Sequence, residues 1–179
     1  MAIRIDPSTV TQFGSGLHRP EGVAAAREGG VIWAADNRGG CARITPDGQV
    51  TLIGQLGGVP NGICLDTEGH LIVANIGTSD VQRLAPDGTH TVLATHADGR
   101  ALTTPNFPYL DRQGRIWVTQ STDARPNRQA VFDPRPDGAL AVIEHGRARL
   151  AATDLYFANG VTVLRQKRVR VAWRPFVPL

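Results

Sequence analysis

Short apolar runs recur along the chain, and each is bounded by Gly, Pro, Asp or Asn. Three of them are rich in branched and aromatic residues and too short for helices, and they predict strands at Val31–Ala35, Leu71–Ala74 and Ile116–Thr119. No segment carries the long 3.6-residue period of an amphipathic helix. The chain is therefore predicted to be all-β, with Trp33 and Trp117 in its core.

Asp-Gly dipeptides downstream of these runs predict hairpins, because the turn needs positive φ at its centre. The predicted pairs are Ala42–Thr45 with Gln49–Ile53, Val81–Leu84 with Thr89–Leu93, and Ala130–Phe132 with Ala139–Ile143. Each unit then holds about four short antiparallel strands. Asp36-Asn37 and Asn75, which directly follow two of the apolar runs, are interpreted as loop residues.

One phrase introduces each unit. Its copies are Pro20-Glu21-Gly22-Val23, Pro60-Asn61-Gly62-Ile63, Pro105-Asn106-Phe107-Pro108 and Ala158-Asn159-Gly160-Val161. The copies are roughly 40 to 50 residues apart, and four-stranded units at this period are typical of propeller blades. The pattern predicts an incomplete β-propeller of about three and a half blades.

One position of the phrase holds Glu21, Asn61, Asn106 and Asn159. If the units surround an axis, this position brings four oxygen-bearing side chains to one place, where they could bind a hard cation. Asn-Gly is also a common hairpin turn, and Glu21 could be a solvated surface acid. The Asp-Gly pairs already supply hairpin turns and the Asn-Gly pairs precede strands, which favours the axial interpretation.

Composition excludes several classes of partner. Of 19 basic residues, five fall in the last fifteen positions, and the other 14 face 16 acidic residues, a net charge of −2 for the remainder. Dispersed basic residues predict no nucleic-acid partner. The absence of a long apolar segment and of signal-peptide features predicts no membrane partner and a cytoplasmic location. Cys41 and Cys64 form no metal or redox motif.

From about Leu17 to Val163 the chain resembles the regucalcin/gluconolactonase (senescence marker protein) family of six-bladed β-propellers, and around Phe157–Val161 it also resembles strictosidine-synthase-like propellers. The resemblance is carried by Pro20-Glu21-Gly22, by Pro60 to Asp66, by Pro105-Asn106 and by Asp111 to Thr119. Four such motifs in order are specific for the family and much less specific for a substrate.

The resemblance implies a lactonase-like hydrolase acting on a sugar lactone or related ester, with a small-molecule substrate. It implies one divalent cation, Ca2+ in the first place and Zn2+ or Mn2+ as alternatives, bound by Glu21 and Asn159. Asn106 and Asn61 are the implied substrate contacts, and no catalytic base is identified. Phe107 stands where the family often has Asp, and the blade that would supply an acidic metal ligand after Asn159 is missing.

We interpret residues 1–164 as a partial propeller domain and 165–179 as an aberrant basic tail, because the tail holds the only Lys and neither Gly nor acid. Two origins stay open: a truncated or out-of-frame product of a longer gene, or a divergent tail in which Val169–Trp173 still forms a strand. An open arc would expose blade edges and favour self-association. It also raises an alternative function, an inactive propeller fragment or a non-catalytic binding module.

Overall fold

A computed structural model describes residues 5–164 and 169–173, without the side chain of Trp173. After a 3-10 turn at Pro7–Thr9 the chain forms antiparallel sheets whose strands pair in chain order. Blade 1 contains β1 (Val23–Ala25), β2 (Ile32–Asp36), β3 (Gly40–Ile44) and β4 (Val50–Ile53). Blade 2 contains β5 (Pro60–Leu65), β6 (Leu71–Asn75), β7 (Asp80–Leu84) and β8 (His90–Ala94).

A short hairpin, β9 (His96–Ala97) and β10 (Arg100–Ala101), leads into blade 3. Blade 3 contains β11 (Pro105–Leu110), β12 (Ile116–Gln120), β13 (Gly138–Glu144) and β14 (Arg147–Leu155), with the helical turn α1 (Gln129–Phe132) between β12 and β13. Blade 4 is described by β15 (Ala158–Val163) and β16 (Val169–Trp173). In the described residues, three four-stranded sheets and two two-stranded sheets confirm the predicted all-β, partial-propeller fold.

The core lies between the blades, because successive residues of a strand point to opposite faces of its sheet. On β12, Val118 packs into the cluster shared with blade 2, whereas its neighbour Trp117 packs with Val161 of blade 4. Trp33 likewise packs with Val73 between blades 1 and 2. Both tryptophans are buried, as predicted.

The third unit departs from its prediction. Ala130–Phe132 is not a strand but coincides with α1, and β13 pairs directly with β12. The hairpin turn is His145-Gly146, with φ of 50° and 73°, so Asp137-Gly138 closes no hairpin. The reason is burial: β13 is covered on both faces along nearly its whole length, and this burial outweighs the local Asp-Gly signal.

Of the predicted tail, residues 165–179, the structure describes only residues 169–173. Val169–Trp173 forms β16 and pairs with β15, with Val163 opposite Val169, as the divergent-tail interpretation expects. Residues 165–168 and 174–179 lie outside the described residues, so the proposed change of reading frame stays a prediction. In the part of the chain that is described, no helix is long and apolar enough to cross a membrane.

Candidate functional site

A β-bulge positions the repeated Asn-containing pair in three blades. In blade 2, Pro60 pairs with Asn75 and Ile63 pairs with Val73, so Asn61 and Gly62 together oppose a single residue. The same register shift occurs between Pro105 and Pro108 and between Ala158 and Val161. The Asn-Gly pairs are therefore inside the innermost strands and are not hairpin turns. Bulges of this kind turn side chains out of the ladder and often border functional sites.

The innermost strands approach each other backbone to backbone at this level. A Cβ placed on Gly22 would lie 2.5 Å from the carbonyl oxygen of Asn61. A Cβ placed on Gly62 would lie 2.5 Å from the carbonyl oxygen of Asn106 and 2.6 Å from the Cα of Phe107. Only glycine allows such close approach. The glycines of the phrase therefore bring the side chains before them, Glu21 and Asn61, toward one axis.

Hydrogen bonds join three blades at this axis. Asn61 Nδ2 donates to the carbonyl oxygen of Asn106 at 3.1 Å and to its Oδ1 at 3.3 Å. Arg19 Nη2 donates to Asn61 Oδ1 at 3.1 Å and lies 3.4 Å from Glu21 Oε2. Asn61 and Asn106 are buried, while the side chains of Arg19 and Glu21 are each somewhat less than half exposed. Glu21, Asn61 and Asn106 thus form one polar group, which contains three of the four side chains at the repeated position.

Asn159 is connected to this group less directly. It is half-buried in the bulge of β15, and its carbonyl oxygen accepts a hydrogen bond from Thr119 Oγ1. The Thr119 hydroxyl in turn accepts from the backbone N–H of Phe107 at 3.1 Å. The Asn159 side chain makes no hydrogen bond to another described residue, Glu21 included.

A second repeated position, at the end of the second strand of blades 1, 2 and 3, holds the innermost strand in place. Asp36 accepts from the N–H of His18, Asn75 Oδ1 from that of Val59, and Gln120 Oε1 from that of Thr104. The loop interpretation of Asp36 and Asn75 is wrong: both end their strands and are fully buried. Burial of Asp36 opposes its ionisation, but hydrogen bonds from Arg38 and His18 and the Arg38 charge outweigh it and lower its pKa to about 2.

The oxygen donors at the axis are of the type that binds a hard cation, and two of them are also placed to face one. Glu21 Oε2 and Asn61 Oδ1 lie within 3.4 Å of one and the same guanidinium nitrogen, so both oxygens face a single positive centre. The set is poor in negative charge, with one carboxylate beside neutral amides. Across the described residues, no group of three or more His, Cys, Asp or Glu is arranged to bind a metal ion.

Two features of the site were missed from the sequence. The buried strand-end residues Asp36, Asn75 and Gln120 could have been predicted, because they follow equivalent apolar runs. The role of Arg19 could not, because it lies just outside the repeated phrase and contacts residues of two blades.

Comparison with known proteins supports the fold. No protein-family model and no curated protein matches the chain. A solved structure assigned provisionally as a gluconolactonase matches with a TM-score of 0.72 and 22% identity over 87% of this chain and 56% of its own. A gluconolactonase from Xanthomonas campestris matches with a TM-score of 0.70 and 20% identity over 87% and 54%. Virginiamycin B lyase from Staphylococcus aureus matches with 0.65 and 16% over 83% and 47%.

The chain therefore spans about half the length of the structures it matches. These neighbours are β-propellers, and the predicted resemblance is confirmed at the level of the fold. They include both a lactonase and a lyase, so the fold by itself does not decide the reaction.

Proposed function

We propose that this chain, which shares the β-propeller fold of gluconolactonases, carries part of the site of a divalent-metal-dependent, lactonase-like hydrolase acting on a sugar lactone or related ester. The supporting observation is the polar group at the axis. Glu21 and Asn61 are joined through Arg19 by an ion pair and a hydrogen bond, and Asn61 donates directly to Asn106.

Glu21 and Asn159 are the proposed metal ligands. Hard cations take carboxylate and amide oxygens in variable number, so Ca2+ is the first choice and Zn2+ or Mn2+ the alternatives. A bound divalent cation would polarise the substrate carbonyl and lower the pKa of a bound water.

Asn61 and Asn106 are proposed to orient the substrate. The Asn61 amide is fixed on both sides, with its oxygen toward Arg19 and its nitrogen toward Asn106. Asn106 Oδ1 accepts from Asn61, whereas Asn106 Nδ2 donates to no other described residue. That N–H group is available to a hydroxyl or carbonyl oxygen of a sugar lactone. A preorganised donor of this kind needs little reorganisation when the substrate binds.

Calorimetric titration with Ca2+, Zn2+ and Mn2+, followed by a lactone-hydrolysis assay, tests the proposal. We expect one divalent ion to bind, and we expect binding and hydrolysis to be lost in Glu21→Gln, which keeps the shape and removes the charge. Glu28→Gln is the matched control, because Glu28 is an exposed acid of the same blade beyond the far end of β1. Absence of metal binding, with hydrolysis unchanged in Glu21→Gln, would refute the proposal.

A non-catalytic binding module or inactive propeller fragment is the second candidate. One observation favours it: among the described residues joined at the axis, Glu21 is the single carboxylate. It predicts that a sugar lactone binds without turnover even at saturating metal. Product formation that depends on Glu21 would exclude it.

A further inference from the structure

Blade 1 contains one residue more than blades 2 and 3 immediately before the site. The N–H groups of His18 and Val59 bond to equivalent positions at the ends of β2 and β6. Val23 and Ile63 are also equivalent, because they pair with Ala34 and Val73 at matching places on those strands. Three residues separate Val59 from Ile63, whereas four separate His18 from Val23. Blade 3 has the same three-residue spacing as blade 2.

The repeated phrase begins at Pro20, so the additional residue is Arg19. Its backbone is left-handed, with φ of 49°. This conformation is uncommon for a residue with a side chain and is retained where the surrounding structure requires it. From this position the side chain reaches both Glu21 of its own blade and Asn61 of blade 2.

The Arg19 guanidinium lies between the Asn61 amide oxygen and the Glu21 carboxylate. Its Nη2 is 3.1 Å from Asn61 Oδ1 and 3.4 Å from Glu21 Oε2. Nε and Nη1 donate to no other described residue. The positive charge of Arg19 balances the negative charge of Glu21, so the pair presents no net charge to an incoming cation.

We propose that Arg19 is an intramolecular cation that binds Glu21 in place of the divalent ion and so determines the affinity of the site for metal. This inference rests on the proposed function, because it concerns the ion assigned to Glu21. Metal must displace the guanidinium from Glu21. Displacement is feasible because both side chains are more than 40% exposed, and exposed ion pairs contribute little to stability.

Removing the charge of Arg19 tests the inference. We expect Arg19→Gln to bind Ca2+ at least about tenfold more tightly than the natural chain, because repulsion between the guanidinium and a divalent ion is removed. Arg19→Lys keeps the charge and is expected to bind as weakly as the natural chain. Arg27→Gln is the matched control, since Arg27 is an exposed arginine of the same blade beyond the far end of β1. Adding Glu21→Gln to Arg19→Gln should abolish the gain.

Terbium luminescence and calorimetry measure these affinities, and circular dichroism checks that each variant is folded. A second readout needs no metal: in chelator, the side-chain amide NMR signal of Asn61 should shift in Arg19→Gln and not in Arg27→Gln. If Arg19→Gln gains no affinity, or the Asn61 signal does not move, the inference is overturned. If the inference fails in this way but the natural chain binds metal through Glu21, the proposed function is still supported. If only Arg19→Gln binds metal through Glu21, the inference holds and the proposed function of the natural chain fails.

Discussion

Replacing Gly62 with alanine is expected to destabilise the propeller strongly, because the innermost strands of blades 2 and 3 touch at this residue. The added Cβ would lie 2.5 Å from the carbonyl oxygen of Asn106, 2.6 Å from the Cα of Phe107 and 2.8 Å from its ring. Even close C–H···O contacts between strands keep carbon and oxygen about 3.3 Å apart. The two strands must therefore separate by roughly 0.8 Å.

The cost can be estimated from two terms. Overpacking a well-packed core costs about 1 to 3 kcal/mol. Separation of the strands also weakens the hydrogen bonds from Asn61 to Asn106, which are worth about 1 kcal/mol. We expect Gly62→Ala to lower the free energy of unfolding by about 2 to 4 kcal/mol. Urea denaturation measures this loss as a lower midpoint at unchanged slope.

Gly160 provides a control at the equivalent position of the phrase. A Cβ there would meet only the Cβ of Ala172 among described atoms, at 3.8 Å, which is an ordinary contact. Neither Gly62 nor Gly160 has a positive φ, so backbone strain does not distinguish them. Gly160→Ala is expected to be neutral or to stabilise by up to about 1 kcal/mol, because alanine restricts the unfolded chain. Equal losses in the two variants would refute the close-approach argument.

Three further predictions concern the groups around the axis. The folded-state pKa of Asp36 is about 2, below its usual value near 4, so its contribution of about 2 kcal/mol is present above pH 4 and lost as the pH falls to 2. Asp36→Asn should flatten the pH dependence of the unfolding free energy in this range. Burial raises the pKa of the Cys41 and Cys64 thiols to about 12, so both should react slowly with a thiol reagent in the folded protein and rapidly in urea. Thr119→Val removes the hydroxyl that joins blade 3 to β15, and it should speed amide exchange in β15 more than in β5.

Each of these experiments has an internal reference. Asp47→Asn changes an exposed carboxylate of the same blade and should leave most of the pH dependence in place. Rapid labelling of both cysteines without denaturant would contradict the raised thiol pKa values. Uniform acceleration of exchange in Thr119→Val would indicate global destabilisation instead of loss of one blade contact.

Local patterns predicted most of the strands because they depend on neighbouring residues. Short length and enrichment in branched and aromatic residues identified β2, β6 and β12, and the Asp-Gly turns identified the hairpins of blades 1 and 2. In blade 3 the same turn signal was wrong, because pairing is decided by which strand can be buried on both faces. Burial of the second face depends on the next blade, which lies outside the short stretch of sequence around the turn.

The chain alone determined the repeat, the all-β fold and the recurring position of Glu21, Asn61 and Asn106, because period and residue type can be read without coordinates. Only the tertiary structure decided that Asn61 and Asn106 lie in β-bulges and that glycines bring adjacent strands into backbone contact. It also placed the Arg19 guanidinium between two blades. These features arise from contacts between residues tens of positions apart, and such distances are set by blade packing.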